Sequence, residues 1–204
     1  NPNNPTGTIF SHAQLSKFLN DLPRHIVVVL DEAYAEYVTD SAYPDSLQLQ
    51  KEFENLVILR TFSKIYGLAG LRIGYGIAHP DIIRSLRNSY TQFSVNRLAS
   101  AAALAALDDA EFVEECADIN ERERTILCKE LKRMGFDVTP SQGNFLMVEF
   151  AETGEMEKIF ETLKDAGIAV RPLGPFGVEK GLRISVGRPE ENKKLIGCLK
   201  EVGS

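Results

Sequence analysis

Cysteine is scarce in this chain of 204 residues: Cys116, Cys128 and Cys198 are three, an odd number with no CxxC pair. That excludes a disulfide framework and a cysteine zinc site as the basis of the fold. His12, His25 and His79 are scattered, without metal-ligand spacing, so no metal is expected. No apolar run approaches the roughly 18–20 residues that span a bilayer, and no signal peptide is in view, so no membrane partner is expected. Gly67, Gly70, Gly74 and Gly76 form neither GxGxxG nor a Walker loop, which counts against a dinucleotide or ATP site. A net charge of −6 argues against nucleic acid as a partner. There is no internal repeat, no low-complexity segment and no initiator Met; the chain opens at Asn1.

What is present is ordinary for a globular protein, with 44% apolar and 25% charged residues. Ser11 can cap a helix whose apolar face is Leu15, Phe18, Leu19 and Leu22, with Pro23 ending it. Ile26–Leu30 reads as a buried parallel strand. A loop from Thr39 to about Leu47 leads to a strand over Leu56–Leu59, and a third strand lies near Arg72–Ala78. Helices follow at Pro80–Ser89, Ala99–Leu107 and Ala110–Met134. The last carries Phe112, Val113, Cys116, Ile119, Ile126, Leu127 and Leu131 on one face, and Gly135 stops it. Beyond it the pattern predicts strands at Phe136–Thr139, Asn144–Phe150, Ile168–Arg171 and Leu182–Val186. Helices are predicted at Glu155–Ala166 and Pro189–Val202. The expected division is residues 1–104 and 105–204, two α/β parts.

Chemistry concentrates in Arg60–Gly74. Lys64 sits just past an apolar run, Thr61 and Ser63 precede it, and Arg72 follows among glycines. A lysine that holds an aldehyde cofactor needs this: an amine at a strand end, small residues that let backbone approach an anion, and hydroxyls and a guanidinium to hold that anion. A lone lysine is far more often a solvated loop residue, and it is the motifs on either side that reverse this for Lys64. Asp31 ends the first strand, at the edge where open α/β sheets place ligands. Asn1–Gly7 is a proline-fixed turn whose Asn amides can bond a ring hydroxyl or a carboxylate. Arg183 lies in an alternating strand pattern and suits either a cleft for an anion or an edge-strand surface. Ser141–Phe145 is either an active-site mouth or a plain hairpin turn. Pro172–Gly177 reads as a connecting loop or a flap.

NPNNPTG (1–7), VVLDEAY (28–34), RTFSKIYGLAGLRIGYG (60–76), SQGNFL (141–146) and GLRISVG (181–187), in this order, resemble the fold-type I aminotransferases that use pyridoxal 5′-phosphate. Within that family the histidinol-phosphate aminotransferases are most similar, with aromatic aminotransferases and threonine-phosphate decarboxylases as near relatives. The resemblance covers essentially the whole chain. It implies an α/β fold, with an incomplete large domain built on a mostly parallel sheet (1–104) and a small C-terminal α/β domain (105–204).

The resemblance also implies residue roles. Lys64 joins the cofactor aldehyde and moves a proton at the substrate α-carbon. Asp31 pairs with the ring nitrogen, and Tyr34 and Asn4 bond the ring 3′-oxygen. Thr61, Ser63 and Arg72 hold the phosphate. Arg183 binds the substrate's anionic end, with Arg171 as second candidate and Asn4 beside them. The expected partners are an amino donor, a 2-oxo acid and a second copy in a cytoplasmic homodimer.

Family members carry a long segment before the position of Asn1, with a glycine-rich phosphate turn, a ring-stacking aromatic residue and a segment that closes over substrate. The chain is therefore expected to be the C-terminal part of a longer protein, with little turnover alone. Gly203-Ser204 reads as a cloning remnant.

Overall fold

A computed structural model describes residues 1–89 and 91–202. Tyr90, Gly203 and Ser204, the last two being the suggested remnant, lie outside the described residues. The chain forms two compact units, one of Asn1 with Ile9–Glu115, the other of Pro2–Thr8 with Cys116–Ser204.

The first unit opens with helix α1 (His12–Asp21). Its start is a capping box: the Gln14 amide donates to Ser11 Oγ, and the Ser11 amide donates to Gln14 Oε1. Three strands form one sheet in the order β1 (Val28–Asp31), β2 (Leu56–Thr61), β3 (Gly74–Ile77). β1 and β2 are parallel, and β3 runs antiparallel to β2. Helix α2 (Ser46–Glu52) begins at the end of the expected Thr39–Leu47 loop and fills a stretch to which the sequence assigned no element; the Asp45 carboxylate caps it by accepting from the Gln48 amide.

Strand alternation decides which sheet face is covered. Val28, Leu30, Leu56 and Ile58 pack with Leu15 and Leu19 of α1 and Leu49 and Phe53 of the α2 end. The opposite face bears Val29, Asp31, Leu59 and Thr61, and opposite the last two Gly76 and Gly74 present no side chain. Here Val29 is 58% exposed and Leu59 38%. The expected burial of Ile26–Leu30 is thus corrected: β1 is an edge strand and only its Leu30 is buried, whereas β2, in the middle of the sheet, buries Val57 on the same face as Val29. Phe18 is likewise exposed rather than part of the α1 core face. Helices α3 (Pro80–Asn88) and α4 (Arg97–Leu107) complete this unit, His79 and Asn96 serving as their caps.

Helix α5 (Ala110–Arg133) leads into the second unit. Its buried residues are Asn120, Glu123, Arg124, Leu127 and Leu131, while Phe112 and Ile126 are exposed. The apolar face read from periodicity is therefore rotated, because three polar side chains find buried partners on the covered side. The strands β4 (Asp137–Val138), β5 (Phe145–Glu149), β6 (Arg171–Pro172) and β7 (Gly181–Ser185) make an antiparallel sheet in the order β4-β5-β7-β6. Helices α6 (Thr153–Asp165) and α7 (Pro189–Val202) pack on it, with Leu131, Leu146, Leu163 and Leu182 essentially inaccessible. Each such leucine contributes about 1.5–3 kcal/mol by burial. All three cysteines are half-buried and outside any disulfide. Among the described residues no helix is long and apolar enough to cross a membrane, and no His/Cys/Asp/Glu group could hold a metal ion.

Candidate active site

The parallel pairing of β1 with β2 brings two carboxyl-terminal strand ends to one sheet edge. Asp31 closes β1 and Thr61 closes β2. Register pairs Asp31 with Leu59, so alternation sets Asp31 and Thr61 on the same, open face. Asp31 is exposed, and its Oδ1 accepts from the Ala33 amide at 3.0 Å, fixing the turn that follows.

Past β2, buried Phe62 and Ile65 anchor the chain on either side of Ser63 and exposed Lys64. The loop closes on itself: the Gly67 amide donates to Lys64 O and the Leu68 amide to Phe62 O, both at 2.9 Å. Gly67 turns there at φ +69°. Gly74 is required for a different reason. A Cβ there would stand 2.6 Å from Arg60 O, so only glycine lets β3 approach β2 this closely. The Lys64 ammonium lies 5.2 Å from the centre of the buried Tyr34 ring. Thr61 Oγ1 accepts from the Ser63 amide at 3.0 Å. Arg72 Nη1 donates to Ala69 O at 2.9 Å and makes a long 3.5 Å approach to Ser63 Oγ. Arg72 itself adopts the left-handed conformation (φ 51°, ψ 52°), which costs a side-chain-bearing residue about 1–2 kcal/mol. Such strain gathers at functional sites.

Behind this edge lies a buried ionic cluster that the sequence motifs did not single out. Glu32 is wholly inaccessible, and its amide extends the ladder by donating to Leu59 O. Its carboxylate accepts from Ser46 Oγ (2.9 Å), Tyr43 Oη (3.2 Å) and Arg60 Nε (2.7 Å), and Arg60 Nη2 stands 2.7 Å from the same Oε2. Arg60 Nη1 donates to Glu36 Oε1 at 3.2 Å. Burial pulls the Arg60 pKa down, but Glu32 and Glu36 outweigh it and the net direction is up. Burial and Glu32 push the Tyr43 phenol well above its usual range. A signal existed in the sequence: alternation turns Glu32 and Arg60 to the covered face, where isolated charges are not tolerated and opposite ones must pair.

The second unit holds the other predicted residues. Asn4 Oδ1 accepts from Arg183 Nη1 at 2.8 Å. Arg183 and Arg171 are direct register partners across β7 and β6, hence on one face. Each guanidinium lies over an aromatic ring, Arg183 over Phe145 at 5.2 Å and Arg171 over Phe176 at 5.1 Å. Among the described residues no carboxylate forms a salt bridge with either, and buried Arg183 Nε has no hydrogen-bond partner. Two like charges set side by side on one face favour an anion between or beside them.

The turn that carries Asn4 is seated on the Ser141–Phe145 hairpin turn between β4 and β5. The Gln142 amide donates to Gly7 O at 2.8 Å, and Ser141 Oγ donates to Phe145 O at 2.7 Å. Buried Asn120 and Arg124 both donate to Gly143 O, from 3.3 and 3.0 Å. Pro172–Gly177 is a connection between β6 and β7 with a 3-10 turn at Gly174–Phe176. The nine predicted residues thus form two sets: Asp31, Tyr34, Thr61, Ser63, Lys64 and Arg72 in the first unit, Asn4, Arg171 and Arg183 in the second.

Known proteins resemble this chain in sequence and fold. Histidinol-phosphate aminotransferase 1 of Nitrosococcus oceani is 45% identical over 202 residues, 99% of this chain and 54% of that protein. The crystal structure of histidinol-phosphate aminotransferase from Sinorhizobium meliloti in complex with pyridoxal-5′-phosphate matches with a TM-score of 0.90 at 31% identity, covering 100% of this chain and 56% of that one. The L-threonine-O-3-phosphate decarboxylase of Porphyromonas gingivalis matches with a TM-score of 0.83 at 29% identity, covering 99% and 62%. The chain spans about half the length of the curated relatives it matches. The sequence pattern of the family described as aminotransferase class I and II fits residues 1–199, and the chain belongs to that family.

Proposed function

We propose that this chain takes part in pyridoxal-phosphate-dependent transamination between histidinol phosphate and 2-oxoglutarate, a step of histidine biosynthesis. The observation that carries the proposal is the Lys64 ammonium over the Tyr34 ring, at the sheet edge where Asp31 and Thr61 end parallel strands. The donor set of the first unit fits the cofactor's groups one for one. Lys64 offers an amine to an aldehyde. Asp31 offers a carboxylate to a protonated ring nitrogen. Thr61, Ser63 and Arg72 offer hydroxyls and a planar fork to a phosphate dianion. When bound, the cofactor supplies an electron sink for the substrate α-carbon.

Lys64 holds and returns the proton at that carbon, and Asp31 keeps the ring nitrogen charged. Tyr34 and Asn4 are assigned to the ring 3′-oxygen. Arg183, with Arg171 beside it, takes the anionic end of either substrate, a phosphate or a carboxylate, since both present oxygens to a planar fork. A large cofactor-binding part over 1–104, a small domain over 105–204, a homodimer and a cytoplasmic location belong to the same proposal.

A second reading, decarboxylation of a phosphate-bearing amino acid, is favoured by the likeness to the threonine-phosphate decarboxylase. An aromatic amino donor is a third.

The test begins with intact mass before and after borohydride reduction with added pyridoxal phosphate. One cofactor added on Lys64, and none in Lys64→Ala, is the expected result. Glutamate-dependent conversion then identifies transamination, whereas carbon dioxide release identifies the decarboxylase. No uptake on Lys64 sinks all three and leaves an anion-binding domain.

A further inference from the structure

We propose that Arg60 is a positioning residue: it clamps the Asp31–Tyr34 segment against the Thr61–Lys64 segment and so sets the spacing of the cofactor's contacts. The inference rests on the cofactor site proposed above.

Arg60 immediately precedes Thr61, and its side chain points to the face away from it. All three guanidinium nitrogens are engaged. Nε and Nη2 hold Glu32 Oε2, each at 2.7 Å, and Nη1 holds Glu36 Oε1 at 3.2 Å. Glu32 directly follows Asp31, and Glu36 lies two residues beyond Tyr34. One planar cation from the Lys64 strand thus grips both ends of the segment that carries the carboxylate and the phenol. The Tyr34 ring is the one over which Lys64 rests.

The burial supports geometry rather than stability as the role. Glu32 is fully inaccessible, and the Arg60 and Glu36 side chains are 21% and 11% exposed. A buried ion pair is commonly no more stabilising than an apolar pair of the same size, because desolvation offsets the Coulombic attraction. What it adds is direction. Ser46 Oγ and Tyr43 Oη complete the Glu32 carboxylate from α2 and the preceding loop, so the clamp has one satisfied arrangement. Lysine cannot replace it, since a single ammonium cannot span Glu32 and Glu36 in a fixed plane.

Glu32→Gln/Arg60→Met removes the charges of the innermost pair and leaves no lone buried cation, with Glu36, the less buried carboxylate, losing its guanidinium. The full protein is titrated with pyridoxal phosphate, and the visible absorbance of the Lys64-bound cofactor is followed against pH, with thermal unfolding alongside. A displacement of about 1 Å costs up to roughly a hundredfold at a reacting centre. We expect cofactor affinity to fall about ten- to a hundredfold and the pH midpoint to move by about one unit. A folded double variant with parental affinity and midpoint overturns the proposal. If the double variant does not fold, Arg60→Lys carries the test, with the same shift expected and parental behaviour again overturning it. Failure of the parent protein itself to take cofactor on Lys64 overturns the proposed function, and this inference with it. A parental adduct alongside an unchanged variant overturns this inference alone.

Discussion

Replacing Gly7 by alanine tests how the Asn4 turn is seated. Gly7 has φ +75°, where a side chain costs about 1–2 kcal/mol. The new Cβ would fall 2.0 Å from Ser141 Oγ, 2.5 Å from its Cβ and 3.0 Å from its Cα. Such overlap cannot persist, so Ser141 must move. Moving it sacrifices the Oγ bonds to Phe145 O and from the Gly143 amide, and the 2.8 Å bond from the Gln142 amide to Gly7 O. At about 1 kcal/mol for each bond, the total reaches about 4–5 kcal/mol. Ser141→Gly alone loses the two Oγ bonds, about 2 kcal/mol. In Gly7→Ala/Ser141→Gly the worst overlap is gone, leaving the backbone strain and those same two bonds, about 3–4 kcal/mol. The two changes therefore partly cancel, with a coupling of at least about 2 kcal/mol. Urea unfolding of the parent, both single variants and the double variant measures it. Additivity to within about 0.5 kcal/mol would refute the geometry.

Two further predictions concern the first unit. Tyr43 has a folded-state pKa raised by burial, then by the charge and hydrogen bond of Glu32, against an opposing pull from Arg60. Its contribution is therefore complete below the unfolded value of about 10 and is lost as pH rises beyond it, by up to about 1.4 kcal/mol per pH unit. Tyr43→Phe should flatten the alkaline limb of stability against pH; an unchanged limb would show that another group sets it. Leu19→Ala, at a fully buried position, should cost about 2–5 kcal/mol. Phe18→Ala, on the exposed side of the same helix, should stay within about 0.5 kcal/mol. Equal losses at the two positions would mean that Phe18 is covered in solution.

Local signals were legible wherever neighbours in sequence are also the physical cause. The Ser11 cap, the proline after α1 and the long period of α5 announced their helices, because caps and periodicity act within a turn or two. α2 went unread because seven residues with one strongly buried leucine, Leu49, give too short a period to separate from a loop. On α5 the apolar count pointed to Phe112 and Ile126. The covered side instead holds Asn120, Glu123 and Arg124, each bonded to a group distant in sequence, Gly143 or Asn192. Periodicity cannot see that, since a polar residue looks the same whether solvated or paired.

The candidate site divides in the same way. Lys64, Asp31, Arg72 and Arg183 stand out in sequence because their chemistry is unusual beside glycines, hydroxyls and strand ends. The amino acids themselves determined which groups are available: an amine, a carboxylate, two hydroxyls and three guanidinium forks. Only the tertiary structure decided which groups share a face. β1 paired to β2 sets Asp31 beside Thr61, and β6 paired to β7 sets Arg171 against Arg183. It also joined Arg60 and Glu32, which alternation only hinted belong on the covered face, into a buried clamp. The reason is that pairing register and burial are properties of contacts between distant segments, and a charge acquires its role from the partner and the dielectric that such contacts create.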